Sequence, residues 1–126
     1  MSAITVPADT SQLAQLGAFV QQQCARAAQV VLVDLVVTEL AGNAIRHGGA
    51  RTLHLEVRDL VGEYEVILED DGAPFNPTAT EVRPMGELRE GGYGLPLVQR
   101  CSKSVSYERV GERNQVRLVF DAGGSA

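Results

Sequence analysis

The sequence predicts an α+β fold, a two-layer α/β sandwich in which helices pack on one face of a mixed, mainly antiparallel sheet. Two observations support this prediction. The predicted elements follow as strand, helix, helix, two strands, long loop, helix and two strands, without the strict alternation of a parallel α/β fold. The later strands also fall into successive pairs, which favours antiparallel pairing.

Two helices are predicted in the first half of the chain, after a short strand in which Ile4 and Val6 alternate. The first helix follows a cap at Asp9, Thr10 or Ser11, and its apolar stripe consists of Leu13, Leu16, Phe19 and Val20. The second helix runs from Val30 to His47 and ends at Gly48-Gly49, because glycine is common just past a helix end. Its predicted apolar side consists of Leu32, Leu35, Val36, Leu40 and Ala44.

Alternating apolar residues predict two strand pairs in the second half of the chain. In the first pair, Leu53, Leu55 and Val57 are followed by Tyr64, Val66 and Leu68, and Asp70 continues the same parity. The last pair carries Val105 and Tyr107, then Val116, Leu118 and Phe120, around a turn at Gly111 to Asn114. Between the pairs, residues 71–92 predict a long functional loop and residues 95–101 a short helix.

Size and composition indicate one domain, predicted over residues 1–122, with residues 123–126 as a flexible tail. The 126 residues are 44% apolar with a net charge of −5, which argues against a nucleic acid partner. No leader peptide and no membrane-spanning segment are found, so a cytoplasmic protein is expected. Cys24 and Cys101 lack a partner motif and are predicted to be buried, reduced thiols, and His47 and His54 complete no metal-ligand set.

The first candidate site motif lies on the second predicted helix. Glu39, Asn43 and His47 are spaced four residues apart, so they lie along one face, which is predicted to oppose the apolar side. The Asn43 amide oxygen suits Mg²⁺, the Glu39 carboxylate suits proton transfer, and Arg46 is able to reach a phosphate. The alternative is an ordinary solvated helix face.

The second motif, Asp70-Asp71-Gly72, follows a predicted strand directly. The parity of Asp70 places its carboxylate at the edge of the apolar layer, where it is able to accept a hydrogen bond from an exocyclic amino group such as that of adenine. Gly72 allows the backbone to approach a flat ring closely. The alternative is a plain Asp-Gly turn.

The third motif is Gly91-Gly92-Tyr93-Gly94-Leu95, at the start of the predicted short helix. Unpaired N–H groups in a glycine loop at a helix N-terminus favour phosphate binding. No Gly-Lys-Ser/Thr follows, so the segment is not a P-loop. The alternative is a flexible hinge.

Together, the order and spacing of these motifs resemble the N, G1 and G2 boxes of the GHKL superfamily, which has the Bergerat ATP-binding fold and includes histidine kinases. Glu39, Asn43, Ala44 and His47 match the first box, Asp70 and Gly72 the second, and Gly92, Gly94 and Leu95 the third. The sequence is most similar to the anti-sigma-factor serine/threonine kinases of that superfamily, because the domain is small and its loop is short. The resemblance extends from about Ile4 to Phe120.

The resemblance implies a role for each matched residue. Glu39 would be the general base for a substrate serine, Asn43 would bind Mg²⁺, and Asp70 would recognise adenine. The remaining ATP-binding residues would be Arg46, His47, Gly72, Arg89, Gly92, Gly94 and Leu95, of which the arginines reach phosphates and the glycines form the pocket and lid. Pro74 stands where the superfamily usually has a second glycine, and Pro96 follows Leu95, but neither departure removes a reacting group.

The resemblance also implies a function. The chain would use ATP and Mg²⁺ to phosphorylate a serine of a STAS-type anti-sigma-factor antagonist, and it would switch partners to a sigma factor or another regulator. Homodimers and a partner surface on the first helix are further implications. The alternative that stays open is a nucleotide-dependent binding switch without phosphoryl transfer. A histidine-kinase catalytic domain and a gyrase-type ATPase are disfavoured, because no phospho-accepting helical hairpin and no transducer domain are seen.

Overall fold

The computed structural model describes residues 1–25, 27, 30–74 and 102–122, and these residues form the predicted α+β sandwich. The elements are β1 (Ser2–Pro7), α1 (Leu13–Gln23), α2 (Val30–Arg46), β2 (Thr52–Asp59), β3 (Glu63–Asp70), β4 (Ser104–Val110) and β5 (Arg113–Asp121). The five strands have the order β1-β2-β3-β5-β4, and each neighbouring pair is antiparallel. The short helix predicted at residues 95–101, Cys101 and the predicted tail lie outside the described residues.

The first helix buries the stripe that the sequence predicts. A 3-10 turn at Thr10–Gln12 leads into α1, and Asp9 caps it by accepting a hydrogen bond of 3.0 Å from the Ser11 N–H. Leu16 and Val20 are fully buried in the core, while Leu13 and Phe19 are half-buried against it. The stripe therefore serves as core, as its helical spacing indicates.

The buried side of α2 differs from the predicted one. The residues that face the core are Val33, Val36, Val37, Leu40, Ala41 and Ala44, whereas Leu35 is 43% exposed. The prediction for Leu35 was therefore wrong. Apart from Asp34, the first two turns of α2 are apolar all round, so spacing alone does not identify the face that the sheet covers.

One polar contact joins the two helices beside this core. The Asp34 carboxylate accepts hydrogen bonds from Gln21 Nε2 at 2.7 Å and from Thr38 Oγ1 at 3.0 Å. A Cβ at Gly17 would lie 2.6 Å from the same carboxylate, so a larger residue there would displace the Asp34 side chain. This contact explains how an acidic residue is tolerated inside the apolar segment of α2.

The glycine pair ends α2, as predicted. Gly49 has a φ of +63°, and the Ala50 N–H returns to the Ala44 carbonyl at 3.2 Å. A left-handed glycine after the last turn is a common way to satisfy carbonyl groups that the helix leaves open. The turn directs the chain into β2, which brings the C-terminal end of α2 close to the end of β3.

The inner face of the sheet carries the rest of the core, and its members are Val6, Leu53, Leu55, Val57, Tyr64, Val66, Leu68, Val116, Leu118 and Phe120. The predicted strand pairs are confirmed, but the β4–β5 turn is shorter than predicted. Asn114 lies within β5 and is 2% exposed, so it belongs to the sheet and not to the turn. None of the helices in the described ranges is long and apolar enough to cross a bilayer.

The observed burial predicts different costs for two leucine truncations. Leu16→Ala should lower the free energy of unfolding by about 3 kcal/mol, because it opens a cavity in the core. Leu35→Ala should lower it by less than about 1 kcal/mol, because much of that side chain is already in water. Urea unfolding followed by circular dichroism measures both variants, and equal losses would contradict the assignment of the buried helix face.

Candidate functional site

A cleft opens between the C-terminal end of α2 and the ends of β3 and β5. Its lining residues are Leu40, Ala44, Gly48, Leu68, Asp70, Asn114 and Val116, and it encloses about 320 Å³, including space open to solvent. Most of the wall is apolar, and Asp70 and Asn114 are its polar members. An apolar cleft with a few converging polar groups is the usual form of a small-molecule site.

The polar row of α2 lies on the helix that forms one wall of this cleft. Leu40, Ala44 and Gly48 line the cleft, and Glu39 and Asn43 each precede one of these residues. Asn43 is only 2% exposed and Glu39 is half-buried. The row is therefore adjacent to the core, and the prediction that it opposes the apolar side was wrong. The third member of the row, His47, is exposed at the end of the helix.

Glu39 carries the one buried side-chain oxygen that has no hydrogen-bond partner within the described ranges. This atom is Oε1. Because a buried carboxylate oxygen without a donor is costly, such an atom usually indicates a ligand or a reacting group. Asn43 lies one helical turn away, so the two oxygen donors face the same region.

The Arg46 side chain folds back along the same helix. Its Nη2 donates a long hydrogen bond of 3.5 Å to Asn43 Oδ1, and a Cβ at Gly42 would lie 3.0 Å from its Nη1. The glycine therefore provides room for the guanidinium beside Asn43. Since Arg46 is exposed overall, the guanidinium is also able to turn toward an anion at the mouth of the cleft.

Asp70 lies at the end of β3, on the inner face of the sheet. In register, it stands between Leu53 of β2 and Asn114 of β5, and it is 7% exposed. Its Oδ1 accepts hydrogen bonds from the Gly72 N–H at 2.9 Å and from Asn114 Nδ2 at 3.0 Å. No donor from the described residues reaches Oδ2, so this oxygen is the one suited to a ligand amino group.

Asn114 determines which way the Asp70 carboxylate is held. Its Nδ2 also donates to the Ala73 carbonyl at 2.8 Å, and its Oδ1 accepts from Tyr107 Oη at 2.6 Å. Arg109 Nη1 lies 3.2 Å from the same Oδ1 and donates to the Gly72 carbonyl at 2.8 Å. With donors on its oxygen and acceptors on its nitrogen, the amide has one orientation.

The Asp71 carboxylate ties the end of β3 to the start of β2. Oδ1 accepts from the Arg51 N–H at 2.7 Å and the Thr52 N–H at 3.0 Å, while Oδ2 accepts from Thr52 Oγ1 at 3.1 Å. The hydrogen bonds from the Thr52 and Arg51 backbone hold the pKa of Asp71 below its ordinary value of 3.8. The charged form is therefore part of the folded loop.

Gly72 is buried where two backbone segments approach closely. A Cβ there would lie 2.7 Å from the Gly48 carbonyl oxygen and 3.0 Å from Asp70 Oδ1. The next residue, Ala73, donates its N–H to the same Gly48 carbonyl at 2.8 Å. Close backbone packing therefore requires the glycine at this position, in addition to any contact with a ligand.

Several of the predicted site residues lie at or near this cleft. Asp70 lines the cleft, and Gly72 is packed against two of its lining residues, Gly48 and Asp70. Glu39, Asn43 and Arg46 lie on α2, which forms one wall of the cleft, while Arg89, Gly92, Gly94 and Leu95 lie outside the described residues. Asp71, Tyr107, Arg109 and Asn114 were given no role. A signal for Asn114 was present, because it shares the parity of Val116 and Leu118 and therefore belongs on the inner face.

The residues of the cleft fit a magnesium-bound adenine nucleotide. Asn43 and the unpartnered Glu39 oxygen are hard donors of the kind that Mg²⁺ and its water ligands prefer. Asp70 presents an acceptor next to an apolar wall, which suits the amino edge of a purine. A cation held beside Asn43 would supply charge neutralisation for phosphate groups.

Fold and cleft together define the class of the protein as an α+β domain with a candidate small-molecule site. The family profile described as the histidine kinase-like ATPase domain matches residues 6–120. Because the match covers most of the sequence, the chain belongs to this family, which is of the GHKL type. The predicted superfamily is thereby confirmed.

Two relatives are similar in sequence to part of the chain. The chain is 33% identical over 89 residues to a sensor protein NarQ homolog of Haemophilus influenzae, covering 69% of this chain and 14% of that protein. It is 26% identical over 90 residues to the serine/threonine-protein kinase BtrW of Bordetella bronchiseptica, covering 68% of this chain and 63% of the kinase. The matches therefore span less than two thirds of either relative's length.

Solved histidine kinases share the fold. The histidine kinase AdeS of Acinetobacter baumannii aligns with a TM-score of 0.57 at 15% identity, covering 98% of this chain and 70% of that one. The histidine kinase domain of the blue-light activated kinase EL346 of Erythrobacter litoralis aligns with a TM-score of 0.51 at 18% identity, covering 93% and 62%. At these identities the likeness concerns the fold alone.

The Asn114 network predicts a large cost for removing its amide. Asn114→Ala should lower the free energy of unfolding by about 2 kcal/mol, because the buried Asp70 carboxylate and the half-buried Tyr107 hydroxyl each lose a hydrogen-bond partner. Gln115→Ala is the matched control, since its side chain is on the opposite face of β5, and it should cost less than about 0.5 kcal/mol. Chemical denaturation measures both, and a neutral Asn114→Ala would show that the network does not stabilise the fold.

The lowered pKa of Asp71 predicts a pH-dependent contribution to stability. The contribution is present above the unfolded-state pKa and is lost as the pH falls through the lower folded-state pKa. Asp71→Asn should therefore lower the free energy of unfolding by roughly 0.5–1 kcal/mol at neutral pH, because solvent screens this exposed carboxylate. The difference from the wild type should shrink below pH 3.8 in denaturation measured across pH, and a difference that stays constant would contradict the stabilising role of the charged Asp71 carboxylate.

Proposed function

We propose that the chain is an ATP-dependent serine protein kinase that phosphorylates a STAS-type anti-sigma-factor antagonist. It would act in the cytoplasm as a partner-switching anti-sigma factor or a related regulator of transcription. Three observations support the proposal: the family membership, the resemblance of its motifs to the anti-sigma-factor kinases, and the similarity to BtrW, whose name describes a serine/threonine kinase. Its partners would be proteins, including a second copy of the chain, with no nucleic acid or membrane among them.

The buried, unpartnered oxygen of Glu39 carries the kinase proposal. A protein that only binds a nucleotide does not need a carboxylate in this position, whereas a kinase needs a base near the incoming hydroxyl. Glu39 lies one turn from Asn43 on α2, at the border of the cleft. The carboxylate is therefore near both the proposed metal ligand and the proposed phosphate position.

Each cleft residue has a defined task in this proposal. Asp70 Oδ2 would accept a hydrogen bond from the adenine amino group, because Asn114 and Gly72 already occupy Oδ1. Arg46 would leave its position beside Asn43 and contact a phosphate. Mg²⁺ bound through Asn43 would neutralise phosphate charge when present.

Glu39 acts as the base in the proposed transfer step. The Glu39 carboxylate takes the proton of the acceptor serine hydroxyl while the serine oxygen forms a bond to the γ-phosphorus of ATP. The bond from that phosphorus to the bridging oxygen breaks, and ADP leaves with the electron pair. A phosphate placed on the acceptor adds charge to a packed protein interface, so it would release the partner.

Label transfer from ATP tests the kinase proposal. The acceptor is the STAS protein that the immobilised chain retains from a lysate of its own cells in the presence of ADP. Glu39→Gln should slow incorporation of ³²P from [γ-³²P]ATP into this protein by about 10²–10⁴-fold, because the hydroxyl loses its base. It should leave the dissociation constant for Mg·ADP within a few-fold of the wild type. Absence of label from the wild-type reaction would exclude a kinase.

Calorimetry of nucleotide binding distinguishes rejection of the kinase proposal from rejection of the proposed nucleotide site. Asp70→Asn should weaken Mg·ADP binding by about 10–100-fold, because an acceptor on a charged group is lost. Asp59→Asn, at the far end of β2, is the matched control and should bind normally. Nucleotide binding that depends on Asp70 without transfer of label would favour the switch, whereas equal affinity in the Asp70→Asn variant would reject the adenine site.

A further inference from the structure

A second cluster of donors lies on the other side of the sheet. His54 and Glu56 on β2 and Glu69 on β3 each offer one ligand atom, and these atoms lie within 4.8 Å of one another. All three side chains are half-buried. The sequence predicted no metal-ligand set around either histidine. Glu69 is far from His54 in sequence, and only the pairing of β2 with β3 brings the two together.

Strand register explains why the three side chains meet. His54 is directly opposite Glu69, and Glu56 follows His54 by two residues on the same strand. Because side chains alternate between the faces of a sheet, all three point away from the core that Leu53, Leu55 and Leu68 form. The core helices α1 and α2 pack on that opposite, inner face, so this cluster belongs to the outer face.

Contacts to both ring nitrogens orient the His54 side chain. Nδ1 lies 2.7 Å from Thr5 Oγ1 on β1, while Nε2 lies 3.1 Å from Glu56 Oε1. A ring whose outer nitrogen is engaged presents the other nitrogen in a fixed direction. Histidines that bind metals almost always have such an outer partner, which also raises the basicity of the ligating nitrogen.

The charges around the cluster leave room for a cation. The cluster holds two carboxylates, and the nearest guanidinium of the described residues is 4.0 Å away, between Arg58 Nη2 and the second oxygen of Glu56. Arg58 also pairs with Glu65 at 3.6 Å, and Arg117 contacts Glu65 as well. Glu69 forms no ion pair with any described residue, so its charge is the one that a bound cation would balance.

We propose that His54, Glu56 and Glu69 form a binding site for a divalent first-row transition-metal ion such as Zn²⁺. One imidazole nitrogen and two carboxylate oxygens are donors that these ions accept, and water would complete the coordination. Mg²⁺ is less suited to the site because it prefers oxygen ligands alone. The site is separate from the nucleotide cleft and does not depend on the proposed kinase activity.

Titration calorimetry with ZnCl₂ on the full chain tests the site. The Cys101→Ser variant is the starting protein, because a free thiol competes for Zn²⁺. Cys24 needs no replacement, since burial raises the pKa of its thiol to about 11. One ion per chain should bind, Thr5→Val should weaken it by about 10–100-fold through loss of the outer partner, and His54→Gln or Glu69→Gln should weaken it further.

His47→Gln is the matched control, because His47 is the chain's other histidine and is exposed at the end of α2. Its affinity for Zn²⁺ should equal that of the starting protein. Imidazole ¹⁵N spectra of that protein give a readout that needs no variant at the site, and the His54 signals should shift with added Zn²⁺ while those of His47 stay. Unchanged affinity in His54→Gln, a shift of His47 alone, or no binding would show that the cluster contains only the hydrogen-bonded contact between His54 and Glu56.

Discussion

The candidate site depends on a backbone clamp that joins the end of β3 to the end of α2. The Asp71 carboxylate accepts the N–H groups of Arg51 and Thr52, and the Gly48 carbonyl accepts the N–H of Ala73. Both contacts connect the turn after Asp70 to the segment that leaves the helix. Without them, only core packing would hold the Asp70 carboxylate and the polar row of α2 near each other, and a ligand would have to provide the remaining order itself.

The backbone clamp also explains why Gly72 and Gly49 are glycines. Gly72 is packed against the Gly48 carbonyl, where a Cβ would lie 2.7 Å away, and Gly49 needs its positive φ to turn the chain toward β2. Close approach of two backbones leaves Asp70 next to Asn114, whose amide is held in one orientation by Tyr107. The carboxylate is thus oriented before any ligand arrives, which lowers the entropic cost of binding.

Local sequence patterns predicted the helices and strands that the structure describes. They could not predict which side chains contact each other across neighbouring strands. The strand pairs and the glycine stop of α2 follow from parity and from backbone preferences, and Glu39, Asn43 and Asp70 follow from motif spacing. The exposed Leu35 could not be predicted, because the start of α2 is apolar all round except at Asp34 and only the sheet selects the buried face. Asn114 was assigned to a turn because a hairpin of uncertain length does not reveal where its second strand begins.

Strand register places two kinds of chemistry back to back on the same strands. Asp70 and Asn114 are neighbours across β3 and β5 on the inner face, and one residue earlier on β3, Glu69 is opposite His54 on the outer face. Alternation of side chains allows the two sets to share strands without sharing atoms. An ion on the outer face would join β2 to β3 beside the strand end that holds Asp70. The sheet that orients the Asp70 carboxylate would then be stiffened from its outer face, on the side opposite the core.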